Sequence, residues 1–241
     1  MARFYAPPEK IRGEVALLDG DERHHMDVVR LRPGDRVELI DGRGSLYEGI
    51  VLRMGKGEAE VRIVGHKRQP PMKRVELYQG MPKGDKLEFI IQKATELGAS
   101  SVTPVICRRS IPRIPEGKVE RKLKRWRRIA IEAMKQCGRA YLMEVNPPVG
   151  FEEAILRAEA DLKLMPWEGE RDVRFDEPFE RKQIGSVALL IGPEGGFDEE
   201  EVEMARRAGF ITVSLGDLIL RCETAALAAL ILTQHHLGQL G

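Results

Sequence analysis

The 241-residue sequence lacks the features that mark secreted, membrane-spanning or metal-binding proteins. Its three cysteines, Cys107, Cys137 and Cys222, are far apart and have no CxxC spacing, which predicts reduced thiols and neither a disulfide framework nor a metal site. There is no run of about eighteen apolar residues, and the N-terminus lacks the apolar segment of a signal peptide. We therefore expect a cytoplasmic protein with no membrane partner.

The chain also lacks a surplus of either charge, but its charges are unevenly distributed. Residues 73–145 contain 17 Lys and Arg against 8 Asp and Glu, whereas residues 146–241 contain 9 against 18. Clusters of basic residues are what phosphate backbones bind, so the basic segment is a candidate surface for a polyanion. The alternative is a solvated helix face whose charge the acidic segment offsets in space.

What the sequence does contain is a pair of short apolar runs, each ending in a glycine turn. Residues 187–191 predict a strand buried on both faces, which the motif GPEGG at residues 192–196 ends. Residues 211–215 predict a second strand, which ends at Gly216. Both loops should lie at the carboxyl edge of a parallel sheet, where open α/β folds bind their ligands.

The residues after GPEGG narrow the choice of ligand. Asp198 and Glu201 have capping-box spacing and predict the start of a helix that Gly209 ends. Glycine loops at helix N-termini usually bind anions, but the four acidic residues at 198–201 would repel a phosphate. A zwitterionic sulfonium cofactor such as S-adenosylmethionine has no such conflict. Alternatively, GPEGG is only a tight turn and the acidic residues are a helix cap.

The pattern of the whole chain predicts two domains. Residues 1–70 contain short alternating runs separated by glycine-rich joints, which predict a small β domain. Residues 73–241 alternate strands and helices with short joints, which predicts a parallel α/β sheet. One of these helices should begin at Asp85, because Glu88 follows at capping-box spacing.

Two further helices have distinctive surfaces. The helix predicted at residues 119–137 carries apolar residues on one side and basic residues on the other. The helix predicted at residues 224–237 contains eight consecutive apolar residues, so it must be covered on every side. The sheet would cover one side, and a second subunit would cover the other.

Several motifs together resemble one protein family. IGPEGGF followed by SLGDLILRCETAALA resembles the C-terminal signature of the SPOUT methyltransferases, and specifically of the RsmE family of 16S rRNA uracil-N3 methyltransferases. The stretches HHMDVVRLRPGDRVELIDGRG, KGDKLEFIIQKATELGASSVTPVICRRS and KRWRRIAIEAMKQCGR resemble the same family in the same order. The resemblance implies a PUA-like β-barrel in residues 1–70 that docks RNA, and a SPOUT-type α/β knot in residues 73–241.

The resemblance also implies what the protein binds. Its cofactor would be S-adenosyl-L-methionine, its substrate 16S rRNA in the small ribosomal subunit rather than DNA, and its assembly a homodimer. The positions that match the family's cofactor loops are Leu164, Pro166, Leu190, Gly192, Pro193, Gly195, Gly196, Leu215, Gly216, Ile219, Leu220 and Thr224. The strand predicted at residues 161–165 ends at residues 166–169, which by position form a third loop at the same sheet edge. The resemblance implies that this loop helps to enclose the cofactor, and the charged, irregular residues 168–186 predict an exposed connection. Trp167 would either stack on adenine or fill the core.

Two residues are candidates for the chemistry, and a larger set for RNA contacts. Arg221 could stabilise a uracil anion and Glu223 could accept the N3 proton, although both could instead brace the loop. The candidate RNA contacts are Arg23, Arg30, Arg32, Lys86, Arg108, Arg109, Arg113, Arg125 and Arg139. The N-terminal arginines could equally be ordinary surface residues.

Two other functions stay open at this point. One is a SPOUT enzyme that methylates another RNA position. The other is an RNA-binding assembly factor without activity, for which the charge distribution is equally suitable. Two intact glycine loops favour an enzyme.

Overall fold

The computed structural model describes residues 1–111, 114–181 and 183–240, which form two compact units. The first unit comprises Met1–Pro71 together with Ile131–Leu142. The second comprises Met72–Ala130 and residues 143–240. The sequence analysis assigns residues 131–142 to the second domain, so the structure adds this short segment to the first unit.

The first unit is a curled, six-stranded half-barrel with strand order β1-β4-β5-β6-β3-β2. Its core contains Phe4, Leu18, Met26, Leu39 and Val61, which are all nearly inaccessible to solvent. The strands are β1 (Arg3–Tyr5), β2 (Ile11–Arg12), β3 (Val15–Asp19), β4 (Arg36–Ile40), β5 (Ser45–Met54) and β6 (Glu58–Arg68).

A helix within the first unit was not expected from the sequence. Helix α1 (Gly20–Val28) follows β3 and has the sequence GDERHHMDV. It buries only Arg23 and Met26, so it has no apolar stripe from which a helix would be predicted. His24 and His25 lie on this helix, and no group of metal-ligating side chains occurs in the described part of the chain.

Residues 131–142 pack in the first unit because of both apolar and charged contacts. Met134 and Ala140 are buried in a cluster with Ile40 and Leu46. The ammonium of Lys135, whose side chain is only 5% exposed, lies 2.8 Å from a carboxylate oxygen of Glu22. Sequence periodicity does not reveal these contacts, because the partners are distant in the chain.

The second unit contains a seven-stranded sheet whose strand pairs are all parallel. The strands are β7 (Arg74–Gly80), β8 (Ser101–Ile106), β9 (Glu144–Val145), β10 (Val149–Gly150), β11 (Leu162–Pro166), β12 (Ser186–Ile191) and β13 (Ile211–Val213). Their order is β10-β8-β7-β12-β11-β13, and β9 pairs with β8 beside this path. The parallel sheet predicted from strand and helix alternation is confirmed, with β12 near its centre and buried along residues 187–191.

In the described ranges, four α-helices connect these strands and a fifth follows β13. They are α2 (Lys86–Glu96), α3 (Glu116–Cys137), α4 (Phe151–Arg157), α5 (Glu199–Arg207) and α6 (Cys222–His236). The last part of α3 belongs to the first unit, as described above. Helix α6 packs against α2, β7 and β12. No helix in the described ranges is both long and apolar enough to cross a membrane.

The two predicted capping boxes have different outcomes. At α5, the Asp198 carboxylate and the Glu201 side chain both make the reciprocal hydrogen bonds, so this prediction is confirmed. At α2, Asp85 is the N-cap residue but its side chain makes no capping bond. The Glu88 carboxylate instead lies 2.6 Å from the guanidinium of Arg125, so the predicted helix start at Asp85 is confirmed but its capping box does not form.

Candidate active site

A cavity of about 470 Å³ opens at the carboxyl edge of the second unit's sheet. Three loops line it, and they follow three adjacent strands, β12, β11 and β13. Lys86 and Ala225 complete the wall from α2 and α6. This volume is within the range of small-molecule sites. Both glycine loops therefore meet at one site, as the sequence predicts.

The loop after β12 needs glycine at specific positions. Gly196 has a φ of +67°, and a Cβ atom there would collide with the carboxylate of Glu168. A Cβ atom on Gly80 at the end of β7 would lie 2.5 Å from the backbone nitrogen of Pro193. The side-chain amide nitrogen, Nε2, of Gln79 also donates a hydrogen bond to the carbonyl of Gly192 at 3.3 Å. The loop therefore lies directly against the end of β7.

The loop after β13 is more open. Gly216 has a φ of +111°, and beyond its chain neighbours no described residue comes within 4 Å of the point that a Cβ atom would occupy there. Leu218 and Ile219 are 81% and 87% exposed, which is unusual for such large apolar side chains. Arg221 is the N-cap residue of α6, and its exposed side chain is part of the cavity wall.

Most of the candidate cofactor residues lie in the cavity wall. Those that line it are Pro166, Gly192, Pro193, Gly195, Gly196, Leu215, Gly216, Ile219 and Leu220. The side chains of Leu164 and Leu190 are instead fully buried in the core, and Thr224 is exposed on α6. Any contact of the two leucines with a ligand would have to come from their main chain.

Lys86 joins two segments of the site. Its ammonium nitrogen lies 3.1 Å from Oε1 of Glu194 and 3.2 Å from Oε2 of Glu223. Glu194 belongs to the first glycine loop and also accepts a hydrogen bond from the backbone N–H of Lys83 at 3.0 Å. Lys86, a candidate RNA contact in the sequence analysis, is thus placed in the cavity wall between two carboxylates.

The contacts around Lys86 determine the protonation states of Glu223, Glu194 and Cys222. Burial acts to raise the pKa of Glu223, but hydrogen bonds from its own backbone N–H, the Cys222 thiol and Lys86 outweigh burial, and the pKa is lowered. Burial also acts to raise the pKa of Glu194, but hydrogen bonds from its own backbone N–H, the backbone N–H of Lys83 and the Lys86 ammonium outweigh burial and lower this pKa. Burial raises the pKa of Cys222 to about 12, so its thiol stays protonated. Glu223 is therefore an ionised and weak base at neutral pH.

The loop after β11 lies in the cavity wall, as its position at the sheet edge predicts. Glu168, Glu170 and Arg171 all line the cavity, although the sequence analysis gave these three side chains no role in the site and interpreted residues 168–186 as an exposed connection. Glu170 accepts a hydrogen bond from the hydroxyl of Thr212 at 2.5 Å, and this bond is the main cause of its lowered pKa.

Trp167 lies partly in the core and partly in the cavity wall. It packs against an apolar cluster of the second unit and also lines the cavity, and its stacking on adenine stays a prediction. The guanidinium carbon of Arg206 lies 5.5 Å from the centre of its ring, within the range of a cation–π contact. The indole is thus held in place with part of its surface facing the cavity.

Several candidate RNA contacts in the second unit have partners within the protein. Arg108 pairs with Asp198 at 3.1 Å and with Glu200 at 2.5 Å. Arg109 donates to the carbonyl of Gly195 at 3.1 Å. These arginines brace the acidic helix start and the first glycine loop. Arg125 pairs with Glu88, as described above, and Arg113 lies outside the described residues.

The candidates in the first unit also differ in exposure. Arg23 is buried, where it pairs with Asp27 at 2.6 Å and donates to the carbonyl of Gly55 at 2.9 Å. Arg139 is half-buried, and burial lowers its pKa. Arg30 and Arg32 are exposed and can reach a ligand in solvent.

Helix α3 carries an exposed basic face within the second unit. The side chains that form it are Lys118, Arg121, Lys122, Lys124, Arg127 and Arg128, and each is exposed. Leu123, Trp126 and Ala130 lie buried on the opposite face. The amphipathic pattern predicted for this helix is confirmed.

Two family models match the chain. Residues 68–234 match an RNA methyltransferase domain, and residues 18–64 match an RNA methyltransferase PUA domain. The chain is similar to ribosomal RNA small subunit methyltransferase E of Mycobacterium bovis, with 33% identity over 94% of this chain and 88% of the relative. The Bacillus subtilis protein of the same name is 32% identical over 88% of this chain and 87% of that relative.

Solved structures give the same result. A ribosomal RNA small subunit methyltransferase E from Neisseria gonorrhoeae, bound to S-adenosyl methionine, aligns with a TM-score of 0.88 and 33% identity over 98% of this chain and 97% of that chain. A Legionella pneumophila methyltransferase in complex with the cofactor SAM aligns with a TM-score of 0.89 and 33% identity, over 97% of this chain and 96% of that chain.

Proposed function

Since the chain belongs to the ribosomal RNA small subunit methyltransferase E family, we propose that it transfers a methyl group from S-adenosylmethionine to N3 of a uridine in 16S rRNA. The observation that carries this proposal is the meeting of both glycine loops in one cavity at the carboxyl edge of a parallel sheet. A location in the cytoplasm is part of the same proposal.

The cavity is suited to this cofactor. At Gly80 and Gly196 a Cβ atom would collide with Pro193 and Glu168, so glycine at these positions lets the loops pack closely around the cavity. The Glu168 carboxylate lies over Gly196, and no ion pair joins it to another residue in the described ranges. A carboxylate in this position favours a ligand with positive charge. S-adenosylmethionine is such a ligand, whereas a phosphate is not.

The chain's own residues would position the substrate and stabilise its charge. When bound, the cofactor supplies an activated methyl group. Uridine N3 carries an imide proton and is a poor nucleophile at neutral pH, so a cation that stabilises the uracil anion would increase the rate. We assign this role to Arg221, whose exposed guanidinium lies in the cavity wall.

Glu223 is less suited to accept the proton. Its lowered pKa makes it a weak base, and its Oε2 atom already accepts bonds from Lys86 and Cys222. The bracing role, which the sequence analysis left open for this residue, is therefore the one that we favour.

RNA would bind through the exposed cations. The basic face of α3 is a continuous candidate surface for phosphates, and Arg30 and Arg32 are exposed candidates in the first unit. The ion pairs of Arg108 and Arg125 make these two residues weaker candidates, because RNA would have to displace a carboxylate.

A homodimer is also part of the proposal. Phe89 on α2 and Ile231 and Leu232 on α6 are exposed, although these helices pack against each other. Large apolar side chains on two neighbouring helices are typical of a surface that a partner covers. Helix α6 was expected from its sequence to need a cover of this kind.

The test is nucleoside mass spectrometry. Small-subunit rRNA from a strain that lacks this protein would be incubated with the purified protein and S-adenosylmethionine, both as free rRNA and as assembled subunits. We expect 3-methyluridine to appear. A different methylated nucleoside would indicate an enzyme of the same fold that acts on another RNA position, and no methylation on any substrate would favour an RNA-binding assembly factor.

A further inference from the structure

We propose that Lys86 is a positioning residue of the methyl-transfer site, which holds the first glycine loop and the start of α6 at a fixed separation through Glu194 and Glu223. The inference rests on the proposed function, because the two segments that Lys86 joins are walls of the proposed cofactor cavity. It assigns Glu223 to the structure of the site and not to proton transfer.

The backbone of Lys86 is well suited to serve as a fixed point. Lys86 is the first residue of α2, and the next residues on the inner face, Leu87, Ile90 and Ile91, are buried. Helix α2 packs against α6, which begins at Cys222. The ammonium therefore extends from a packed helix to the first glycine loop and to the start of α6.

The ion pairs are shielded enough to contribute to this geometry. The side chains of Lys86, Glu194 and Glu223 are 34%, 27% and 18% exposed, so they are neither fully solvated nor fully buried. Solvent and salt screen partly exposed pairs less than fully exposed ones. No other Lys or Arg in the described ranges forms an ion pair with Glu194 or Glu223.

Removal of the ammonium would leave two ionised carboxylates facing each other. Their mutual repulsion would push the first glycine loop away from the start of α6. Because the cavity lies between these segments, the cofactor would bind more weakly, although neither carboxylate needs to touch it. This predicts a specific signature, in which neutralisation of one carboxylate compensates for loss of the lysine.

The position of Glu223 in α6 agrees with this role. It lies in the first turn of the helix, where the helix dipole favours a negative charge. Its backbone N–H, the Cys222 thiol and Lys86 all stabilise the ionised form. Each of these contacts keeps the carboxylate charged, which suits an electrostatic tie and opposes proton uptake.

The experiment measures S-adenosylmethionine binding by calorimetry for wild type, Lys86→Met, Lys86→Arg and the double variant Lys86→Met/Glu223→Gln. We expect Lys86→Met to raise the Kd about tenfold, which corresponds to about 1.4 kcal/mol. Lys86→Arg should restore most of the affinity, since a guanidinium can also bridge two carboxylates. The double variant should bind more tightly than Lys86→Met alone.

Lys93→Met is the matched control. Lys93 lies on the same helix and also pairs with a glutamate, Glu96 at 2.8 Å, but it is not part of the cavity wall. Its Kd should equal that of wild type. A Lys86→Met variant that binds like wild type, or a double variant that binds no better than Lys86→Met, would overturn the proposal.

The turnover number of Glu223→Gln tests whether Glu223 holds the site together or accepts the N3 proton. A general base contributes about 10²- to 10⁴-fold, so a brace predicts a smaller loss of kcat than this. A loss of kcat within that range with unchanged cofactor affinity would identify Glu223 as the base and overturn its assignment here. Failure of the proposed function is distinguishable, because wild type itself would then form no 3-methyluridine in small-subunit rRNA, whatever the cofactor affinities of the variants.

Discussion

Gly196 is the residue on which the shape of the proposed cofactor site depends most directly. It combines a left-handed backbone conformation with the close approach of the Glu168 carboxylate. The sequence reveals the glycine but not the reason for it, because Glu168 belongs to a different loop. The effect of the left-handed backbone can be separated from the effect of the close carboxylate by comparison with a glycine that has a left-handed backbone but no such neighbour.

We predict that Gly196→Arg abolishes S-adenosylmethionine binding while the protein stays folded. A side chain at this position enters the space beside Glu168, and the positive φ adds a strain of about 1 to 3 kcal/mol. Calorimetry gives the affinity and thermal denaturation the stability. The control is Gly209→Arg, because Gly209 also has a positive φ, of +88°. Among the described residues, none beyond its chain neighbours lies within 4 Å of its Cβ position, and Gly209 does not line the proposed cofactor cavity. A folded Gly196→Arg protein with normal affinity would contradict the placement of the cofactor.

At the scale of single elements, equal sequence patterns led to different structures. Asp198 with Glu201 and Asp85 with Glu88 have the same spacing, yet only the first pair forms a capping box. Asp198 has the extended backbone conformation of an N-cap residue, whereas Asp85 has a φ of −96° and a ψ of 10°. In addition, Arg125 of α3 binds Glu88. Local spacing therefore predicts a local bond only where the backbone conformation and the partners from elsewhere in the fold allow it.

Helix α3 carries a prediction about RNA. The double charge reversal Arg121→Glu/Lys124→Glu should weaken binding of a small-subunit rRNA fragment and reduce the slope of log K against log salt by about 2 in magnitude. Both side chains are exposed on the basic face, so stability should change little. Filter binding between about 50 and 200 mM salt measures the slope.

The control for α3 reverses the same number of charges on the acidic part of the chain. Arg157→Glu/Arg207→Glu changes exposed arginines on α4 and α5, outside the basic face. Its salt slope should match that of wild type. Equal losses in both double variants would show that overall charge, and not the face of α3, determines RNA affinity.

At the scale of the whole molecule, the sequence allowed a large part of the architecture to be predicted. The parallel sheet and the meeting of both glycine loops follow from short apolar runs and glycine turns. Contacts between distant residues could not be predicted in this way. The tie from Lys86 to Glu194 and Glu223 and the packing of residues 131–142 in the first unit both depend on partners that only the complete fold brings together.

The apolar face of α2 and α6 gives a prediction at the same scale. Wild-type protein should have the mass of two chains by light scattering, and Ile231→Glu should have the mass of one, because a charge at a covered apolar surface must be desolvated. Leu156→Glu is the control, since Leu156 is an exposed leucine on α4. A wild-type protein that stays at the mass of one chain would contradict the proposed dimer.

The strand order of the second unit also has a consequence for how the protein is made. Strand β12 pairs with β7 and β11, and the residues of β7 lie near the beginning of this unit whereas β12 lies near its end. Pairings between such distant segments form slowly, because the intervening chain must first lose its freedom. The glycine loop after β12 packs against the end of β7, so it can take this shape only once both strands have been made and paired. A chain that ends before Gly216 lacks the second glycine loop, and we therefore expect it not to form the cofactor cavity.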